Sequence, residues 1–205
     1  MVHSEKIHRI TLTAILVAII FLLAFTPLGY LVIGPIAATT IQMPVIIGAV
    51  LMGPAGGTTL GFFFGLSAIL KVLTMPGADP FATLALEHAP LKYIAVCMLS
   101  RILMGFLTGL LSSGLKKIPS LGRNHTAISY GITGFVGSFM NTVFYLGALW
   151  LLCAEVIVSF YGIDLSGVGT LVMTTAWAAG IPEAVVSCVI VAAVCKTAEK
   201  MRRGH

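Results

Sequence analysis

One arginine lies in a stretch of sequence that otherwise has the apolar character of a membrane-spanning helix. Arg101 stands within Cys-Met-Leu-Ser-Arg-Ile-Leu-Met-Gly-Phe, residues 97–106. An arginine at the centre of a membrane costs about 2.5–3.5 kcal/mol on insertion scales, so it usually faces a partner or a polar cavity. A guanidinium binds a carboxylate through two parallel hydrogen bonds. We therefore expect Arg101 either to pair with an internal acid, for which Glu183 is the candidate, or to bind an anionic ligand.

Two amide side chains lie in similarly apolar surroundings. Asn141 occurs in Gly-Ser-Phe-Met-Asn-Thr-Val-Phe-Tyr, and Tyr145, four residues later, shares its helix face. Gln42 occurs near the start of another apolar segment. A buried amide needs hydrogen-bond partners at both its oxygen and its nitrogen. Either residue has two possible uses, a bond between helices or a bond to a ligand amide or hydroxyl.

Glu183 and Lys92 complete the set of candidate ligand-binding residues. Glu183 follows Pro182, a residue tolerated in the first turn of a helix, where a carboxylate favourably meets the positive end of the helix dipole. The alternatives for Glu183 are a bond to ligand hydroxyls or to Arg101. Lys92 follows Glu87 and His88, and this group is either solvated charge at the membrane surface or the mouth of a ligand site.

The motifs of common catalytic and metal sites are missing from the sequence. It contains no G-x-x-x-x-G-K-[ST] phosphate loop and no H-E-x-x-H pair, and its four cysteines form no C-x-x-C motif. We therefore expect no enzyme activity, no metal and no cofactor. The formal net charge of +5 does not indicate nucleic-acid binding, because the basic residues sit where membrane topology would place them.

The composition indicates an integral membrane protein. Of the 205 residues, 58% are hydrophobic and only 9% are charged, whereas soluble domains have about 25% charged residues. A spanning helix needs about 20 apolar residues. We predict a single membrane domain over residues 1–205, an all-α bundle of six transmembrane helices at about 10–25, 37–52, 55–73, 89–115, 127–152 and 176–198.

The distribution of basic residues predicts the orientation of this bundle. With both termini in the cytoplasm, the cytoplasmic segments hold most of the 12 lysines and arginines, namely Lys6, Arg9, Lys116, Lys117, Arg123, Lys196, Lys200, Arg202 and Arg203. The three outer loops, 26–36, 74–88 and 153–175, contain neither lysine nor arginine. The first two are apolar and rich in glycine and proline, so they either form lids over an outward-facing cavity or pack as ordinary interfacial loops.

Ala14 and Ala18 lie four residues apart on one face of the first helix. Small residues at this spacing let two helices approach closely. They serve either packing within the bundle or contact with another membrane protein.

The sequence as a whole resembles the substrate-binding S components of energy-coupling factor (ECF) vitamin transporters. The resemblance is clearest in FTPLGYLVIGPIAATTIQMPVIIGAVLMGPAGG and GFFFGLSAI, and it extends through SRILMGFLTG, GFVGSFMNTVFYLG and GIPEAVVSCVIVAAV. It implies a six-helix, multi-pass cell-membrane protein that binds one vitamin near its outer side. The implied partners are a transmembrane coupling subunit, which the Ala-x-x-x-Ala pattern of Ala14 and Ala18 would contact, and two ATPase subunits.

Within the family, the pantothenate-type members are the most similar. The resemblance then implies that Arg101 binds the carboxylate, Asn141 the amide or a hydroxyl, and Gln42 or Glu183 a hydroxyl. Folate or another vitamin is the alternative cargo. An intramembrane enzyme acting on lipid, or a subunit without a ligand, is the alternative of a different class.

Overall fold

A computed structural model describes residues 2–33, 36–118 and 126–203, so that Arg123 of the predicted basic loop lies outside it. Within that part of the chain there are six α-helices and one β-hairpin. The helices are α1 (Val2–Phe25), α2 (Gln42–Thr74), α3 (Pro80–His88), α4 (Pro90–Leu115), α5 (Thr126–Tyr161) and α6 (Leu165–Arg203), and the strands are β1 (Tyr30–Ile33) and β2 (Ile36–Thr39). All the helices except α3 are long and apolar enough to cross a membrane. The predicted all-α membrane bundle is confirmed.

The helix α2 folds back on itself and supplies two passes. Gly53 has a positive φ of 77° and precedes Pro54, which has no backbone N–H to continue a helix. A Cβ on Gly48 would lie 2.0 Å from Leu60 Cδ1, a contact that a straight helix could not make. The first arm, residues 42–52, therefore runs antiparallel to the second. With the two arms of α2 counted separately, the described residues hold six helical segments besides the short helix α3, and the turn lies at the Gly-Pro pair where the sequence predicts it.

One end of the bundle carries cationic side chains that hydrogen-bond to helix ends. Arg9 Nη2 donates to Met52 O at 2.8 Å, and Lys116 Nζ donates to a second carbonyl of the same arm. The Gly-Pro turn leaves these carbonyls without helical partners. Tyr130 Oη donates to Glu199 at 3.1 Å, which joins the start of α5 to the end of α6. We call this region the basic end; its location in the cytoplasm remains a prediction.

The segment expected to be a loop over residues 26–36 is largely a β-hairpin. Tyr30 pairs with Thr39 in antiparallel register, and the turn residues 34–35 lie outside the described part. The first strand is Tyr-Leu-Val-Ile, an aromatic and β-branched run, and a Gly-Pro pair follows it. Such residues favour extended backbone over helix.

Because the hairpin extends to Thr39, α2 begins at Gln42 instead of near Ala37, where the sequence predicts its start. At about 1.5 Å per residue, its first arm is only about 16 Å long. That is about half the thickness of a bilayer core of about 30 Å. Non-helical backbone inside a bilayer is tolerated only where protein surrounds it. The end of the hairpin is bound to α6, because the Thr39 N–H donates to Glu183.

The ends of the helices opposite the basic end also differ from the prediction. The predicted loop 74–88 contains α3, whose first turn is capped by Asp79 accepting from the Ala82 N–H at 3.0 Å. The predicted loop 153–175 is mostly helical: α5 kinks at Cys153, where φ is −126°, and continues to Tyr161, and α6 follows after a short turn in which Gly162 has φ 63°. The apolar residues here continue both helices beyond the length of one membrane span.

The second arm of α2 packs against α4 through a row of glycines. A Cβ on Gly57 would lie 2.1 Å from Gly105 O, and a Cβ on Gly61 would lie 2.3 Å from Arg101 O. Gly65 continues the row at the same spacing of four residues. We call this row, Gly57, Gly61 and Gly65 against α4, the glycine seam. It fixes the backbone that carries Arg101.

Candidate functional site

A layer of buried polar side chains crosses the bundle. This polar belt consists of Gln42, Arg101, Ser138, Asn141 and Glu183, none of which is more than 9% exposed. On α4, Arg101 lies between Cys97, part of one apolar cluster, and Met104, part of the cluster at the basic end. On α6, Val168 and Val191 flank Glu183 in the same way. The belt is therefore enclosed by apolar side chains on both sides.

Arg101 lies between two aromatic rings and has no acidic partner among the described residues. Its Cζ is 4.7 Å from the ring centroid of Phe64 and 4.8 Å from that of Tyr145. Its Nη1 donates to Cys97 O at 3.1 Å, and its Nε has no hydrogen-bond partner in the same part of the chain. Among the described residues, Arg101 therefore does not form the ion pair with Glu183 that was one of the two expectations. The rings stabilise the cation by cation–π attraction without neutralising its charge.

The helix α5 connects Arg101 to the rest of the belt. Ser138, Asn141 and Tyr145 follow one another at spacings of three and four residues and so lie along one face of α5. Asn141 is 9% exposed, and its buried Oδ1 has no hydrogen-bond partner within the described ranges. Because the Tyr145 ring packs on Arg101, the face of α5 that carries the predicted residues Asn141 and Tyr145 is the face directed at Arg101.

Glu183 connects the belt to the hairpin. Its Oε1 accepts from the backbone N–H of Thr39 at 2.8 Å, and its Oε2 accepts from Gln42 Nε2 at 3.4 Å. Gln42 Nε2 also donates to Ser138 Oγ at 2.7 Å. The expectation that Glu183 caps the start of its own helix is wrong, because α6 begins at Leu165 and Glu183 lies deep inside it.

Three polar atoms of the belt are buried without a hydrogen-bond partner in the part of the chain that the structure describes. They are Arg101 Nε, Gln42 Oε1 and Asn141 Oδ1, one donor and two carbonyl acceptors. Each such atom costs about 1–3 kcal/mol if it stays unsatisfied. The remaining buried atoms without a partner in the described residues are the hydroxyls of Thr108, Ser112, Ser129 and Ser187. The belt therefore suits a ligand that offers an anionic acceptor and hydrogen-bond donors.

Lys92 is not part of this group. It precedes Arg101 by nine residues on α4, and at about 100° per residue the two side chains leave opposite sides of the helix. Lys92 is exposed and lines a surface cavity of about 490 Å³ together with His88 and Glu155. A negative and a positive side chain thus share that cavity.

Sequence reasoning missed Phe64 and Ser138. Phe64 is one of three consecutive phenylalanines, and nothing in that run distinguishes the ring that packs on Arg101. Ser138 precedes Asn141 by three residues, so its helical spacing was a usable signal.

Ala14 and Ala18 are both exposed on α1. Ala14 lines a surface groove of about 450 Å³ between α1 and the second arm of α2, together with residues that include Thr13, Val17 and Phe63. The small residues therefore face outward, where another membrane protein has access.

Comparison with known proteins identifies the family. The model of the family "ECF transporter, substrate-specific component" matches residues 8–195. The chain belongs to this family. As an ECF substrate-specific component it is a multi-pass cell-membrane transport protein of a vitamin-uptake system, and it is not an enzyme.

A similar curated protein is the pantothenate transporter PanT of Leuconostoc mesenteroides subsp. mesenteroides. It is 27% identical to this substrate-specific component over 145 residues, which cover 68% of this chain and 67% of the relative.

Proposed function

We propose that this substrate-specific component captures pantothenate from outside the cell and passes it to an ATP-driven coupling module. The observation that carries the proposal is Arg101, a buried guanidinium held between two aromatic rings with its Nε unsatisfied by the described residues. A small anion arriving from outside would supply the countercharge that those residues do not. The name of the Leuconostoc relative supports the same cargo.

Three groups of pantothenate have proposed partners in the polar belt. Pantothenate carries one carboxylate, one amide and two hydroxyls. Arg101 would bind the carboxylate while Tyr145 stacks on the guanidinium. The unsatisfied carbonyls of Asn141 and Gln42 would accept from the amide N–H and a hydroxyl. A thiamin-like cation would leave Arg101 without a countercharge.

Calorimetry on the detergent-solubilised subunit, without ATP, tests the proposal against a panel of vitamins. We expect pantothenate to bind with one site per chain, and folate, riboflavin and thiamin to bind far more weakly. Binding of folate in preference to pantothenate would keep the transport function and overturn the proposed cargo.

Lys92→Gln is expected to change the affinity for pantothenate by less than about fivefold, because an exposed charge contributes at most about 1 kcal/mol. Calorimetry at low and physiological ionic strength measures this. A larger loss of affinity that persists at the higher ionic strength would show that Lys92 contributes to the binding site.

The exposed pair Ala14 and Ala18 is proposed to contact the transmembrane coupling subunit, whose complex with two ATPase subunits would drive release. Ala14→Leu with Ala18→Leu should leave pantothenate affinity unchanged, since neither residue touches the polar belt. Uptake by cells carrying the whole module should fall at least about tenfold, because two bulky side chains would hold the helices apart.

The matched control is Ala95→Leu, which places the same side chain on an exposed site of α4. The control should retain both uptake and co-purification with the coupling subunit. Normal uptake by the double variant would exclude this face of α1 from the contact.

A further inference from the structure

Gln42 is a buried side chain whose amide can face its neighbours in two ways. Its Nε2 donates to Ser138 Oγ at 2.7 Å and to Glu183 Oε2 at 3.4 Å, so both amide hydrogens are used. Its Oε1 is buried and has no hydrogen-bond partner among the residues that the structure describes. A rotation of the amide by about 180° would exchange the oxygen and the nitrogen at little steric cost.

Only one of these two neighbours distinguishes the orientations. The Ser138 hydroxyl both donates and accepts, so it tolerates either end of the amide. An ionised carboxylate only accepts, so Glu183 attracts the NH₂ group and repels the carbonyl oxygen. Glu183 is itself held in place, because its other oxygen accepts from the Thr39 backbone N–H at 2.8 Å.

We infer that Glu183 is a positioning residue that sets the hydrogen-bond polarity of the substrate site through Gln42. By fixing the amide nitrogen on its own side, Glu183 leaves the Gln42 carbonyl as the group offered to the ligand. The site then requires a donor, an O–H or N–H, at this point. This inference rests on the proposed function, and it assigns Glu183 no direct contact with the substrate.

The consequence is selectivity between ligands that differ in a single hydroxyl. A site that offers a carbonyl acceptor loses a buried hydrogen bond when the matching hydroxyl is removed or methylated, which is worth about fivefold to 150-fold in affinity. If the amide is free to rotate, it can offer its NH₂ to an ether oxygen, and the discrimination weakens.

The test compares pantothenate with analogues in which one hydroxyl at a time is methylated, because the ether oxygen can accept from a rotated Gln42 amide but cannot donate to its carbonyl. For the wild-type subunit, calorimetry should show at least one position at which the analogue binds about tenfold or more weakly than pantothenate. In Glu183→Gln this ratio at the same position should fall below about threefold, because a second amide accepts either orientation of Gln42. Retention of the wild-type ratio in Glu183→Gln would overturn the inference.

Ser138→Ala is the matched control, because it removes the partner that does not discriminate. Its affinities for pantothenate and for the analogues should fall together, so that the ratio is kept. A collapse of the ratio in Ser138→Ala would assign the orientation of Gln42 to Ser138 and would overturn the role of Glu183.

A second variant covers the case in which Glu183→Gln does not fold, as judged by size-exclusion chromatography. Gln42→Met keeps the shape of the side chain and removes the carbonyl, so the ratio should collapse while Glu183 is still present. A preserved ratio in Gln42→Met would overturn the inference. Failure of the wild-type subunit to bind pantothenate at all would instead remove the proposed function.

Discussion

Arg101→Met is expected to reduce pantothenate affinity at least about thirtyfold while leaving the empty subunit as stable as the wild type. Removing one partner of a buried charge pair costs about 2–5 kcal/mol in binding. The loss should be large because the guanidinium is only 9% exposed and has no carboxylate partner within the described residues. Calorimetry measures the affinity. The melting temperature of the empty subunit, obtained by thermal denaturation with size-exclusion chromatography as the readout, measures the stability.

The stability measurement separates a ligand-binding arginine from a structural one. Replacing a buried charge by an apolar side chain of similar length is often neutral or stabilising. The variant loses cation–π attraction to Phe64 and Tyr145, worth about 0.5–2 kcal/mol, but it also removes an unsatisfied Nε. A marked fall in melting temperature with little change in affinity would show that Arg101 serves the fold.

Arg101→Lys is the control for charge alone. Lysine keeps the positive charge but lacks the planar fork that binds a carboxylate through two hydrogen bonds and stacks between rings. We expect it to recover only part of the affinity. Full recovery would mean that the site needs a cation and not the guanidinium geometry.

Gly61→Ala is expected to destabilise the subunit by about 1–3 kcal/mol, the usual range for overpacking. The added Cβ would lie 2.3 Å from Arg101 O, and a backbone atom cannot move aside as the end of a side chain can. The second arm of α2 and α4 must therefore separate. Since the displaced backbone carries Arg101, pantothenate affinity should fall as well. Thermal denaturation and calorimetry measure the two effects.

Gly147→Ala is the matched control, because Gly147 also lies inside a helix but a Cβ there would meet nothing within 4 Å among the described residues. Alanine favours a helix over glycine by about 1 kcal/mol, so this variant should be as stable as the wild type or more so. Equal stability of both variants would show that the glycine seam is not closely packed.

The features that can be predicted from the sequence are those whose cause lies in a residue and its immediate neighbours along the chain. An arginine among apolar residues needs an explanation whatever it contacts, and this singles out Arg101. A Gly-Pro pair interrupts a helix by its own backbone chemistry, so the turn at Gly53 is predictable. The spacing of Asn141 and Tyr145 is enough by itself to place them on one helix face.

The features that are not predictable depend on contacts between distant parts of the chain. Glu183 bonds to Thr39 and Gln42, which are 144 and 141 residues away, so its partners cannot be inferred from its neighbours. The glycines of the seam do not differ in sequence from ordinary helix glycines, because their role depends on where α4 lies. The predicted end of α5 at about residue 152 coincides with the kink at Cys153. The continuation of α5 to Tyr161 and the start of α6 at Leu165 were missed because apolar sequence does not indicate where a helix leaves the membrane.

The late start of α2, at Gln42 instead of near Ala37, also explains how an acid and an arginine share one buried layer without neutralising each other. The first arm begins at Gln42, inside the bundle, so the positive end of its macrodipole lies beside the Glu183 carboxylate. That partial charge, with the Thr39 N–H, compensates the acid. Peptide dipoles thus take the place of a cationic side chain beside Glu183, and the guanidinium stays without an acidic partner among the described residues.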